Sequence, residues 1–253
     1  MTQLRDRIAL GITGAVGLAA FVWPLLGTAV PSDARATLPI VALALAPVAI
    51  VVGALLLDRH PMSQKTVAML GVLSAVGTAV RFASSGVGGF EAVFIVLIIG
   101  GRAFGAKFGF LLGMVTIVLS TALTGTIGPW TAFQMFAAGW VGAGAGLLPR
   151  RNSVALDRVE RRRELAWLIG YGIVASYLFG AIMNLWFWPF AVGPQTAVSY
   201  LADGSLGENL RRFGTYTLVT STLTWDSVRA LTSAIGIALI GGPALAALRR
   251  AKL

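Results

Sequence analysis

Residues 124–135 read Thr-Gly-Thr-Ile-Gly-Pro-Trp-Thr-Ala-Phe-Gln-Met, with an apolar run on either side. Gly128-Pro129 cannot continue a helix, since proline lacks the N–H and clashes with the preceding turn; the pair therefore ends one helix and starts the next. Pro129 suits the first turn of the second helix. At helical spacing Trp130, Thr131, Gln134 and Ala138 share one face, which sets an indole, a hydroxyl and a primary amide together at a membrane boundary. That face is either a wall for a ligand or an interfacial tryptophan beside two residues that finish a helix end.

Outward from this turn the chain keeps the same character. Hydrophobic residues make up 57% of the 253 positions and charged ones 12%, which fits an all-α integral membrane protein and not a soluble domain. The formal charge of +10 does not point to nucleic acid, because the basic residues sit in short clusters between apolar spans without interleaved aromatics. Cysteine is absent, which excludes disulfides and thiolate chemistry. Arg5 and Arg7 before Ile8 resemble the start of a signal peptide, but the apolar run continues to about Val30 without a convincing cleavage site, so the segment is read as retained.

Eight apolar segments follow in order: Ile8 to Val30, Leu38 to Leu57, Thr66 to Phe82, Phe90 to Gly101, Ala106 to Leu123, Trp130 to Leu148, Leu165 to Phe190 and Ser227 to Leu248. Most approach the roughly 20 residues that cross a bilayer. Phe90 to Gly101 is short. If it failed to cross, the basic run from Arg150 to Arg163 would face outward, against the positive-inside rule. A polytopic bundle of about eight transmembrane helices with both termini cytoplasmic leaves only Arg35, Arg81, Arg211, Arg212 and Arg229 outside or near that face, and places the Gly-Pro-Trp turn externally. Two unusual connections also fall on the external side: the glycine-rich stretch from Ser84 to Glu91, and Ala191 to Trp225. The latter is long enough to be either a lid or a solvated connector.

The chemistry of the interior is mainly negative. Glu91 and Asp226 sit at expected helix starts and Arg81 at a helix end, where capping accounts for them as readily as ion coupling does. The single histidine, His60, lies in a cytoplasmic turn, so neither a Ser-His pair nor a histidine metal cluster is expected within the membrane. No phosphate-binding loop is present, so ATP hydrolysis by this chain is not expected, and an enzyme is the weak reading. Small-residue stripes are better marked: Gly71, Ala75 and Ala79; Gly109 and Gly113; Ala138, Gly142 and Gly146. Each permits close helix approach, within the chain or, for one of them, to a separate membrane subunit.

At this point the residues resemble a family. From about residue 63 to the C-terminus the chain looks like the six-helix S component, the substrate-binding membrane subunit, of an energy-coupling factor (ECF) vitamin transporter. The stripe Gly71, Ala75, Ala79 resembles the Ala-x-x-x-Ala motif with which the first family helix docks on the coupling subunit. Residues 128–135 and 220–230 (Thr-Ser-Thr-Leu-Thr-Trp-Asp-Ser-Val-Arg-Ala) are similar to signatures of the cobalamin branch. The chain departs from the family in a two-helix membrane extension over residues 1–62, to which no role carries over.

The resemblance implies a bacterial cytoplasmic-membrane protein that binds a vitamin, cobalamin or another, from outside. It would topple on a transmembrane coupling subunit energised by two ATPase subunits, with no catalytic cofactor or metal of its own. A corrin is broad and amphipathic, and calls for aromatic faces with a few hydrogen bonds. Trp130, Thr131, Gln134, Asn184, Trp186, Trp188, Tyr200, Trp225 and Asp226 are the external-side residues able to supply them. Riboflavin, biotin, pantothenate or a modified nucleobase fit the same architecture, and a secondary transporter working without ATPases stays open.

Overall fold

The computed structural model describes residues 2–26, 37, 39–44, 47, 62–84, 90–149, 158–193 and 196–252. The second expected apolar segment, Leu38 to Leu57, falls mostly outside them, as do most of the glycine-rich stretch after Ser84 and the basic residues Arg150 and Arg151. The elements used below are α1 (Thr2–Phe21), α2 (Trp23–Leu26), α3 (Gln64–Ser84), α4 (Val93–Phe104), α5 (Ala106–Thr124), α6 (Trp130–Leu147), α7 (Arg158–Ala191) and α8 (Leu206–Thr217); a π-helical stretch, Leu218–Asp226, then leads into α9 (Ser227–Lys252). Among the described residues every regular element is helical, as expected of an all-α membrane protein.

Among the described residues four helices are long and apolar enough to cross a membrane: Gln64–Ser84, Ala106–Thr124, Arg158–Ala191 and the continuous run Leu206–Ala251. Leu10–Phe21 and Val93–Phe104 are apolar but shorter. The 46-residue run corrects one expectation, because Ala191 to Trp225 is not a long connector: from Leu206 onward it is helix. Hydropathy misses α8 because its sequence, Leu-Gly-Glu-Asn-Leu-Arg-Arg-Phe-Gly-Thr-Tyr-Thr, is polar on average, yet its start carries the local signals of a helix. The Ser205 side chain accepts from the Glu208 N–H at 3.2 Å, and Glu208 pairs with Arg212 one turn on at 3.1 Å.

By contacts the chain divides into two compact units, one of residues 1–59 with 178–224 and one of 60–177 with 225–253. In the second, α4, α5 and α6 meet through glycine. A Cβ on Gly101 or Gly109 would overlap the Gly142 carbonyl, one on Gly142 would overlap that of Gly109, and one on Gly113 would overlap the backbone of Ala138. The stripes on α5 and α6 are thus spent on each other. On α3, Thr78 donates to the Thr116 carbonyl at 3.5 Å, and a Cβ on Gly77 would lie 3.0 Å from the Thr116 methyl. That turns Ser74, Gly77 and Thr78 inward and leaves Gly71, Ala75 and Ala79 exposed.

The α5–α6 turn forms as the sequence dictates. Gly125 takes the left-handed conformation (φ 66°) that ends α5, and Thr126 N–H reaches back to the Thr121 carbonyl at 3.0 Å. At the opposite end of the second unit Arg102, on α4, binds Glu164 at 2.6 Å and donates to the carbonyls of Leu148 and Pro149 at 2.8 and 3.1 Å. Arg249 of α9 binds the same Glu164 oxygen at 2.5 Å. One carboxylate therefore ties the end of α4, the end of α6, the start of α7 and the end of α9, while Tyr171 on α7 donates to the Val141 carbonyl at 2.7 Å.

In the first unit aromatic side chains dominate the core. Trp23 donates its indole N–H to the Trp186 carbonyl at 3.1 Å and packs against Phe190 and Tyr200 at centroid distances of 5.7 and 6.3 Å. Trp188, fully buried, donates to the Val198 carbonyl at 2.7 Å and packs edge-on against Tyr200. Asn209 on α8 brackets Leu201, accepting from its N–H and donating to its carbonyl, so the segment after α7 is fastened to α8.

Candidate functional site

The Gly-Pro-Trp turn and the start of α9 lie at the same end of the second unit. Thr131 closes its own turn: its hydroxyl accepts from the Gly128 N–H at 3.0 Å. Trp130 lies over Gly128, where any Cβ would strike the indole, and donates to the Thr126 carbonyl at 3.2 Å. Its ring remains 42% exposed, so the indole offers a face to whatever surrounds it. Gln134 is directed at Arg81: its Oε1 accepts from one guanidinium nitrogen at 3.3 Å, while the other donates to the Ser120 hydroxyl at 2.9 Å.

Asp226 closes the π-helical stretch and is completely buried. Its carboxylate accepts from Arg229, three residues on, at 2.6 Å. Arg229 also binds Glu91, donates to the Ser176 carbonyl at 3.2 Å and stands 5.5 Å from the centre of the Phe94 ring. Glu91 in turn acts electrostatically on Arg81. The arrangement is a polar chain running Gln134, Arg81, Glu91, Arg229, Asp226, in which Arg229 and Asp226 are buried and Gln134, Arg81 and Glu91 are partly open.

Trp225, beside Asp226, is half exposed and belongs to the π-helical stretch. That pitch is uncommon and recurs at functional positions because the extra residue per turn re-aims side chains. Tyr177 and Ser227 exchange a hydroxyl hydrogen bond at 3.0 Å beside it.

The other sequence candidates lie in the first unit. Trp186 is buried and Tyr200 is wedged between Trp23 and Trp188, so both are used in core packing. Asn184 carries a buried amide nitrogen that no hydrogen bond satisfies among the described residues. An orphan amide inside an apolar helix is costly, and it marks a position that a further acceptor would fill.

From the sequence, Arg81, Glu91 and Asp226 read as helix-end residues and Arg229 only as an arginine on or near the external side, so the four are not seen as one group. The available signal was four charges, two of each sign, at the ends of segments that must face one another if the helices alternate. Trp23 was missed because an indole inside an apolar run, here Ala-Ala-Phe-Val-Trp-Pro-Leu-Leu, carries no mark of its partner. Among the described residues, no three His, Cys, Asp or Glu side chains gather as a metal site would require. No family model, no curated protein and no solved structure matches the chain.

Proposed function

We propose that the chain is the S component of an ATP-driven ECF-type importer in a bacterial cytoplasmic membrane, binding cobalamin or a related corrinoid. The observation that supports this best is the stripe Gly71, Ala75, Ala79: a membrane-length helix turns Ser74, Gly77 and Thr78 inward and leaves this stripe open, with no atom within 4 Å of a Cβ at Gly71. In lipid such a stripe is a contact surface for another helix. On this reading it meets the coupling subunit, two ATPases supply the energy, and the chain is not itself an enzyme.

The finer topology belongs to the same proposal. It has eight crossings, a two-helix extension over residues 1–62, a six-helix core over 63–253, both termini cytoplasmic and the Trp130 end external. Cysteine placed at Ile127, 69% exposed, should then react with an impermeant thiol reagent on intact cells, whereas cysteine at Val159, 72% exposed, should react only after permeabilisation. The reverse pattern would refute the orientation.

At the external end Trp130 and Trp225 present ring faces to the ligand and Gln134 a carbonyl oxygen, while Asp226 acts through Arg229. Purifying the tagged chain from its native membrane in mild detergent is the direct test. A bound corrinoid together with one membrane subunit and two ATPases is the expected result, and Ala75→Leu should lose the subunits and keep the corrinoid. Recovery of neither in the unaltered protein would reject the proposal.

A second reading, a secondary transporter, draws on the Glu91–Arg229–Asp226 group, in which Arg229 and Asp226 are buried, because ion-coupled carriers place such charges inside the membrane. Uptake into liposomes by the purified chain without ATP would select it.

A further inference from the structure

The start of α7 carries charges of the wrong sign for its own helix. Arg158, Arg161, Arg162 and Arg163 fill its first two turns, where the backbone already presents partial positive charge, and the first turn holds a single acid, Glu160. Glu164, the next acid, is buried and committed to Arg102 and Arg249. Exposed Arg158, Arg162 and Arg163 surround Val159, and α9 adds exposed Arg250 near the same end, since Arg249 reaches Glu164. Such a cluster costs helix stability unless an anion stands outside it.

The residues one turn further along say which anion. Trp167, 59% exposed, follows Arg163 by four positions on the same face, and beyond it come Gly170, where a Cβ would meet nothing, and exposed Val174. Cations, then an outward indole, then bare aliphatic surface along one helix is the vertical order of a bilayer leaflet: phosphate, carbonyl level, acyl chain. A soluble anion would use the arginines and leave Trp167 and Val174 idle.

We infer that the outer face of α7 at Arg162, Arg163 and Trp167 is a binding site for an anionic phospholipid. The two guanidinium groups hold the headgroup phosphate and the indole lies at the ester level.

The test is native mass spectrometry of the intact chain released from nanodiscs containing equal phosphatidylglycerol and phosphatidylcholine. Phosphatidylglycerol should be retained preferentially, and Arg162→Gln with Arg163→Gln should weaken its retention about thirtyfold. Arg162→Lys with Arg163→Lys, which keeps the charge, should preserve most of it, and Arg211→Gln should change nothing. Equal retention of the two lipids by the unaltered protein would overturn the inference, a comparison that needs no variant to fold. Unchanged retention in the Gln variant would do the same, as would loss in the Lys variant or displacement of the lipid by excess inorganic phosphate.

Discussion

Glu164→Ala is expected to destabilise the protein by about 3 to 5 kcal/mol, because it leaves the buried guanidinium of Arg102 without its counter-ion. The loss should exceed that of an ordinary ion pair, since the same carboxylate also holds Arg249, and through the two arginines four helix ends. Reversible unfolding in mixed micelles measures it. Glu208→Ala provides the scale: its partner Arg212 is one turn away on the same helix, and i,i+4 pairs of this kind contribute about 0.3 to 0.5 kcal/mol. Replacing both partners, Arg102→Met with Glu164→Leu, should recover much of the loss, because an apolar pair pays no desolvation cost. If Glu164→Ala proved no more harmful than Glu208→Ala, the four-helix tie would not exist.

The other large effect is steric. Gly101→Ala adds one methyl group, but that group would overlap the carbonyl oxygen of Gly142, which is backbone and cannot rotate aside. Overpacking costs about 1 to 3 kcal/mol where side chains can adjust, and here α4 and α6 must separate, so about 3 kcal/mol or more is expected. Gly71→Ala is the same chemical change on open surface, and should be neutral or stabilising by up to about 1 kcal/mol through helix propensity. Melting temperatures of the two variants in one detergent should therefore move in opposite directions or differ severalfold in size. Equal shifts would contradict the packing of α4, α5 and α6 through glycine.

These contrasts show what the sequence reveals and what it hides. The membrane class, the Gly125 and Pro129 boundaries and the use of Gly109, Gly113, Ala138 and Gly142 in close packing all follow from local rules, because apolar length, backbone conformation and small-residue spacing act within a few residues. α8 is hidden, since a polar average outweighs its capping signals in any hydropathy reading, and the π pitch of Leu218–Asp226 has no mark in residue types. The site is less legible still. Asp226 and Glu91 each pass for helix caps; the partner that joins them, Arg229, is 138 residues from Glu91. Long-range pairing of this kind is decided by topology, which eight apolar segments alone leave open.

The bond from Trp23 to the Trp186 carbonyl, 163 residues apart, has a consequence for synthesis. At about 5 to 20 residues per second the ribosome needs roughly 8 to 33 seconds to make the acceptor after the donor has emerged. Throughout that time the backbone hydrogen bonds of α1 can close within the helix itself, while the indole N–H of Trp23 waits for its final acceptor. Neither compact unit is a continuous stretch of chain, since each takes a segment from early and a segment from late translation. A nascent chain halted after Tyr177 would therefore hold both units unfinished, and the late helices complete two half-built cores in the same few seconds.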